Sequence, residues 1–373
     1  MNFSPWGFGM KICVNAIAKN ESEFVPRFCE SAKDADLILI ADTGSTDGLV
    51  EVARSCGAVV HEICVTPWRF DVARNTALAL VPKDFDVVIS LDIDEILMPG
   101  WRAEIERVWK PETTRLRYFF DWGCDIKFKY EKIFARHGYR WHHPVHEYPV
   151  PDPRVKEVWA DTDMLLVKHL PDNTKSRGQY LELLKMSVEE DPFCPRNAFY
   201  YARELTFYQK WGEAVVALLK YLDNPKANWI NERAYAMRLL GQAYAHLGCR
   251  DQALEWHTRA VQESPGTREP WVDLARFYYG QQNWAECLRC IESCLEIKDR
   301  ELIYTCDPAV WGSLPYDLGA IAFWNLNEKE KAIVFTNKAL EYDSESERLK
   351  ANLAMMKGSN DVGPRASSDT EGQ

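Results

Sequence analysis

The chain has 373 residues, 46% of them hydrophobic and 27% charged, which excludes wholesale disorder and suggests two or three domains. The formal net charge of −11 argues against a duplex-wrapping or anionic-membrane protein as the default role. No run approaches the about 18 consecutive apolar residues of a spanning helix, and the first residues lack the apolar core and cleavage site of a signal peptide. The 11 Cys follow no framework pattern and read as reduced thiols, so a cytoplasmic location is expected. Cys287, Cys290 and Cys294 recur at helical spacing and are read as core packing rather than a metal site.

Residues 10–100 alternate strand and helix patterns. Lys11–Ile17, Leu37–Ala41, Ala58–Ile63 and Val87–Leu91 read as strands. Ser22–Ala32, Thr46–Cys56 and Val72–Leu80 read as helices. Such alternation predicts a parallel sheet with helices on both faces, with ligands at the carboxyl ends of the strands. Arg115–Trp122 and Lys127–Arg136 are aromatic-rich strand patterns. A segment dense in His, Trp and Arg follows, Gly138 to Glu147, and then a strand, Asp163–Lys168, that ends at His169.

From about Ser176 the pattern is helical and repeats. Met237, Leu240, Gly241, Tyr244, Ala253, Ala260 and Pro265 are matched 34 residues later by Trp271, Leu274, Ala275, Tyr278, Cys287, Cys294 and Asp299. These are the large and small positions of a tetratricopeptide repeat. Ala202 and Ala214 mark an earlier unit. Ala320, Ala332 and Ala339 mark a later one after a longer loop, about four repeats in all. The expected organisation is an α/β domain over 10–175, helical repeats over 176–357 and a disordered tail over 358–373.

Asp92 and Asp94 follow a buried strand one residue apart. Two carboxylates so placed reach one hard cation, Mn²⁺ or Mg²⁺, whose remaining positions take phosphate oxygens. Asp42 ends an earlier strand and suits a base N–H or a ribose hydroxyl, whereas Asp47 suits the start of the following helix. No G-x-G-x-x-G follows the first strand, which removes the main support for a dinucleotide-dependent dehydrogenase. A nucleotidyltransferase would want a Gly-rich phosphate loop with Lys or Arg near the amino terminus, and this chain has none.

Four ordered motifs, Ala18-Lys-Asn-Glu21, Asp42-Thr-Gly-Ser-Thr-Asp47-Gly48, Phe70-Asp-Val-Ala-Arg74-Asn75 and Leu91-Asp-Ile-Asp94-Glu95, resemble family 2 glycosyltransferases of the GT-A fold. Tyr130–Phe134, Pro144–Glu147 and Asp191-Pro192 leading into helical repeats are similar to the subgroup with a carboxy-terminal tetratricopeptide domain, which includes enzymes that glycosylate peptides and proteins. Leu49-Val50 and Val65–Arg69 depart mildly from the family pattern. The resemblance implies a mixed Rossmann-like sheet followed by an all-α superhelix. It also implies inverting transfer of a hexosyl or N-acetylhexosaminyl group from a nucleoside diphosphate sugar, with UDP as the expected nucleotide. The acceptor it implies is a peptide or protein side chain, with a glycan or lipid-linked acceptor, or a scaffold without catalysis, as alternatives.

Residue by residue, the resemblance places Ala18, Asn20 and Glu21 beside the nucleotide base, and Asp42 as an acceptor from it. Arg74 would face the nucleotide or diphosphate, and Asp92 the ribose or metal. Asp94 would be the main metal ligand. Inverting transfer needs a base on the acceptor side. Glu147 is favoured, with Glu95 and Asp125 as alternatives. His169 is preferred to His146 as a further metal ligand, with Lys175 and Arg177 near the diphosphate. Trp141 and His146 belong to the acceptor loop, where Trp141 either stacks on sugar or packs. A homodimer through the helical repeats is a further expected partnership, while nucleic acid is not.

Overall fold

A computed structural model describes residues 9–123, 126–171 and 178–358. Asp125, Lys175, Arg177 and the tail after Gly358 lie outside the described residues. Internal contacts divide the chain into two compact units, Met1–Ser187 with Leu302–Tyr304, and Val188–Glu301 with Thr305–Gln373. Among the described residues no helix is long and apolar enough to cross a membrane.

The first unit opens with strand β1 (Ile12–Ala18), helix α1 (Val25–Ser31), β2 (Leu37–Asp42), α2 (Leu49–Ser55), β3 (Val59–Glu62), α3 (Phe70–Leu80) and β4 (Val87–Leu91). All seven residues of β1 and all five of β4 are buried, as strands covered on both faces must be. The four strands are mutually parallel in the order β3-β2-β1-β4. Helix α1 starts three residues later than the periodicity predicts, because Pro26 occupies its first turn and residues 22–24 form the turn before it.

Beyond β4 the alternation stops. The chain adds β5 (Glu95–Leu97), α4 (Trp101–Val108), β6 (Arg115–Gly123), β7 (Ile126–Ala135), β8 (Tyr139–His142), β9 (Tyr148–Pro151) and β10 (Trp159–His169). Strand β7 joins β4 antiparallel, β6 pairs antiparallel with β7, β10 runs parallel to β6, and β5 closes the edge antiparallel to β10. The sheet is therefore mixed, in the order β3-β2-β1-β4-β7-β6-β10-β5. The His-rich segment read as irregular contains a two-stranded hairpin, β8–β9. The strand ending at His169 begins at Trp159, four residues before the predicted start, and a register shift between Asp161 and Leu166 interrupts its alternation.

Helix α5 (Tyr180–Glu190) follows, and the second unit continues with α6 (Pro195–Phe207), α7 (Trp211–Leu222), α8 (Ile230–His246), α9 (Arg250–Glu263), α10 (Arg268–Gly280), α11 (Trp284–Glu296), α12 (Leu314–Asn325), α13 (Lys329–Tyr342) and α14 (Glu347–Gly358). The first helix of each hairpin α6–α7, α8–α9, α10–α11 and α12–α13 ends in the same turn. Gln209, Gly248, Gln282 and Asn327 all have positive φ. The next residue donates its N–H to the carbonyl five residues back: Lys210 to Leu205, Cys249 to Tyr244, Asn283 to Tyr278 and Glu328 to Phe323, each 2.9 Å. This is the Schellman cap, which satisfies carbonyls that the helix end leaves open. Ala202, Ala275 and Ala320 are buried where Gly241 stands in its own hairpin, so the helices of each pair approach closely. At Gly241 an added Cβ would lie 2.6 Å from the His257 ring. Cys287, Cys290 and Cys294 are fully buried on one side of α11, in the apolar core with Leu274, Leu318 and Phe323.

Candidate active site

The carboxyl ends of the parallel strands carry the first two motifs side by side, with Ala18 of β1 in register with Asp42 of β2. The Ala18 carbonyl accepts from both the Thr43 N–H and its hydroxyl, at 2.9 Å each. Asn20 takes the left-handed conformation, φ 54°, and its side-chain oxygen accepts from the Thr46 N–H at 2.8 Å. The Asp42 carboxylate folds back on its own loop, accepting from the Gly44 and Ser45 N–H groups at 3.1 Å and from the Ser45 hydroxyl. Glu21 is buried and accepts from the Lys19 N–H at 3.3 Å. Asp47 accepts from the Leu49 N–H at 3.2 Å and also from the Ser22 N–H at 2.8 Å, which ties the two loops together. Ala18, Asn20, Glu21 and Asp42 thus belong to one continuous rim.

A chain of alternating charges begins after β4, the strand beside β1. Arg74, on α3, is 4% exposed and donates through Nε to Glu147 and through Nη2 to Asp92 at 2.5 Å. Lys132, on β7, holds the other Asp92 oxygen at 3.0 Å and Glu95 at 3.0 Å. Glu147, Asp92 and Glu95 are therefore joined through two buried cations. Burial pushes the Asp92 carboxyl up, but the charges of Arg74 and Lys132 outweigh it and hold Asp92 below the ordinary carboxylate range. Glu95 is displaced the other way, to about 7. Its burial dominates, the Asp92 charge adds to it, and Lys132 opposes it.

Asp94 has a different partner. Its Oδ2 lies 3.4 Å from Nε2 of His169. Antiparallel pairing of β5 with β10 sets His169 opposite Glu95, and the Leu170 N–H donates to the Asp94 carbonyl at 2.8 Å. Burial pushes the His169 imidazole down, yet Asp94, with the more distant Glu95 and Asp92, holds it above its ordinary value. Among the described residues no group of three or more His, Cys, Asp or Glu could hold a metal. The Asp94–His169 pair nevertheless fits one: two ligands about 2.1 Å from a single cation stand about 3.0–3.4 Å apart, and phosphate oxygens complete such a shell. Both Asp92 oxygens already face cations.

Glu147 lies in the connection between β8 and β9, where His143 and His146 both have positive φ. Helix α3 pins this connection and the strand before it. The Phe70 N–H donates to the Pro144 carbonyl at 2.9 Å, and the Asn75 amide bonds both backbone groups of Trp141. Trp141 is 1% exposed, packed on Phe134 and under the Arg74 guanidinium. Of its two readings the structure has packing, because its ring is covered. The His146 ring meets Tyr180 at 5.8 Å, whereas His169 is the histidine beside Asp94. Lys132 and Asn75 carry no role in the motif reading. The signal for Lys132 was a lysine inside an aromatic strand, since a buried ammonium needs carboxylate partners.

The model of the family Glycosyl transferase family 2 matches residues 13–112. These residues form a family 2 glycosyltransferase domain. An uncharacterized glycosyltransferase of Rickettsia bellii is 33% identical over 100 residues, which cover 26% of this chain and 33% of the relative. Its counterpart in Rickettsia conorii is 34% identical over 101 residues, 26% of this chain and 34% of the relative. The chain thus spans about a third of the length of the curated relatives it matches. Among solved structures, TTC0263, a TPR protein of Thermus thermophilus, covers 49% of this chain and 92% of its own at 16% identity, with a TM-score of 0.36. MamA covers 44% and 87% at 16% identity, also with a TM-score of 0.36. The stretch matched to the transferase domain holds the rim, Arg74, Asp92, Asp94 and Glu95. Lys132 and His169 come from the strands that follow it, and Glu147 from the β8–β9 connection.

Proposed function

We propose that this chain is a metal-dependent inverting glycosyltransferase that uses a nucleoside diphosphate sugar, with UDP as its nucleotide. The observation that carries this reading is the Asp94–His169 pair at the ligand edge of the transferase domain, beside a charge chain that reaches Glu147. The rim from Ala18 to Asp42 holds the nucleotide. Asp94 and His169 hold Mn²⁺ or Mg²⁺, which when bound neutralises charge on the departing diphosphate.

The remaining chemistry belongs to the chain's own residues. Glu147 takes the proton of an acceptor hydroxyl or thiol as that atom bonds to the anomeric carbon. The bond from the anomeric carbon to the diphosphate oxygen breaks, and the electron pair leaves with the diphosphate. Arg74 fixes the Glu147 carboxylate through Nε and, by also holding Asp92, keeps the base in register with the nucleotide side. Glu95 serves less well as the base, because it stands at the opposite end of the charge chain from the β8–β9 connection, behind Lys132 and Asp92.

The acceptor in this reading is a peptide or protein side chain recruited by the helical hairpins, since stacked hairpins make extended surfaces suited to such partners or to a second copy of the chain. The test is a screen of nucleotide sugars with the full chain, in Mn²⁺ and in Mg²⁺, reading released nucleoside diphosphate. One donor should be hydrolysed well above the rest. No release from any donor in either metal would overturn the reading. Recruitment is tested by altering exposed hairpin residues, which should lower transfer to a peptide acceptor more than donor hydrolysis. An equal fall in both would assign the hairpins to stability alone.

A further inference from the structure

Trp122 stands where β6 ends, and it has no part in the motif reading. It continues the side of the strand on which Tyr118 and Phe120 are buried, yet it is 49% exposed. The pairing of β6 with β7 shifts register between Asp121 and Gly123, so Trp122 is the bulged residue, and bulges re-aim side chains beside active sites. Its ring centroid lies 4.4 Å from that of His169 and 6.0 Å from that of Phe120. Trp159, also part-exposed, differs in having Arg115 and Arg117 guanidinium groups over its ring at 5.0 and 4.8 Å.

We propose that Trp122 is a stacking platform for a pyranose ring at the transfer site. The inference rests on the reading of Asp94 and His169 as the cation pair. In a nucleotide sugar the anomeric carbon is one bridging oxygen from the terminal phosphorus. A sugar whose diphosphate sits on that cation therefore lies within reach of an indole packed at a tilt against one of its ligands. The C–H face of a pyranose is apolar and matches the aromatic face, while its hydroxyls stay in water, which suits a half-exposed Trp rather than a buried one. The pyranose comes either from the donor or from a glycosylated acceptor.

The experiment compares the full chain with Trp122→Ala and Trp122→Phe, both checked by thermal melt, in Mn²⁺. Calorimetry measures binding of a nucleoside diphosphate and of the matching nucleotide sugar, and kinetics measures the acceptor KM. With a donor pyranose, Trp122→Ala should keep nucleoside diphosphate affinity within about twofold and lose nucleotide-sugar affinity about tenfold, with Trp122→Phe between the two. With an acceptor pyranose, both donor affinities hold and the KM of a glycosylated acceptor rises about tenfold instead. Equal losses for diphosphate and nucleotide sugar would show that Trp122 acts only by orienting His169, and would overturn the platform. Unchanged binding and KM would do the same. If the unaltered chain binds diphosphate but gains nothing from any sugar, the platform fails while the nucleotide site stands. If it binds neither, the transferase reading itself fails.

Discussion

The side-chain amide of Asn75 pairs with the backbone of Trp141 as a neighbouring strand would: Nδ2 donates to the Trp141 carbonyl at 2.8 Å and Oδ1 accepts the Trp141 N–H at 2.9 Å. Asn75 follows Arg74 on α3, and Trp141 packs beneath the Arg74 guanidinium, so one helical turn fixes both the cation and the loop that carries Glu147. Asn75→Ala should lower kcat about tenfold with the nucleotide Kd nearly unchanged, since it loosens the base without touching the rim. Steady-state kinetics with nucleotide titration checks this, and an unchanged kcat would refute it.

Removing the cation should stop transfer. Chelation, or Asp94→Asn, is expected to cut turnover by about a hundredfold or more while the thermal melt of the metal-free chain stays close to that of the unaltered protein. Full activity in a chelator would sink the Asp94–His169 assignment.

Glu147→Gln should retain nucleotide-sugar binding and lose about a hundredfold or more in transfer, the usual size of a lost general base. Because the substitution also weakens the ion pair with Arg74, the melt is read alongside. Turnover at the normal level in this variant would pass the base role to another carboxylate.

Lys132 is fully enclosed between Asp92 and Glu95. Lys132→Met leaves two carboxylates facing each other without their shared cation and should destabilise the first unit by about 3 kcal/mol. Adding Glu95→Gln should recover part of the loss, because one buried charge is then gone. Urea unfolding of the single and double variants measures the coupling, and strict additivity would exclude it.

His257 of α9 is buried against Gly241, and burial, helped by Arg238 and opposed by Asp273, lowers its imidazole to about 4. The folded chain then binds this proton less readily than the unfolded chain, whose value is near 6.5. Stability from this group is present above pH 6.5 and is lost as pH falls toward 4, up to about 3 kcal/mol. Amide exchange of α9 should quicken between pH 7 and pH 5, after correction for intrinsic rates, and His257→Gln should flatten that dependence. A Gly241→Ala chain should be less stable at every pH, by about 1–3 kcal/mol, from overpacking against the same ring.

Local chemistry made much of this protein legible from its residues in order. A short solid apolar run such as Val87–Leu91, set between helical patterns, reads as a strand buried on both faces, and the acid pair after it as standing at the ligand edge. Small residues at 34-residue spacing suit helices that approach closely, and the Schellman turns at Gly248 and Gln282 keep that spacing, whereas those at Gln209 and Asn327 stand further off, where the connections between hairpins are longer. Tertiary structure alone decided which charges meet. His169 reaches Asp94 because β10 and β5, more than 60 residues apart in the chain, pair antiparallel at the sheet edge. Lys132 reaches Asp92 because β7 lies against β4. Arg74 turns toward Glu147 because Asn75 holds the β8 backbone. Periodicity reports which face a residue occupies, whereas the partner of a buried charge depends on strand order and register, which are set by contacts between distant segments.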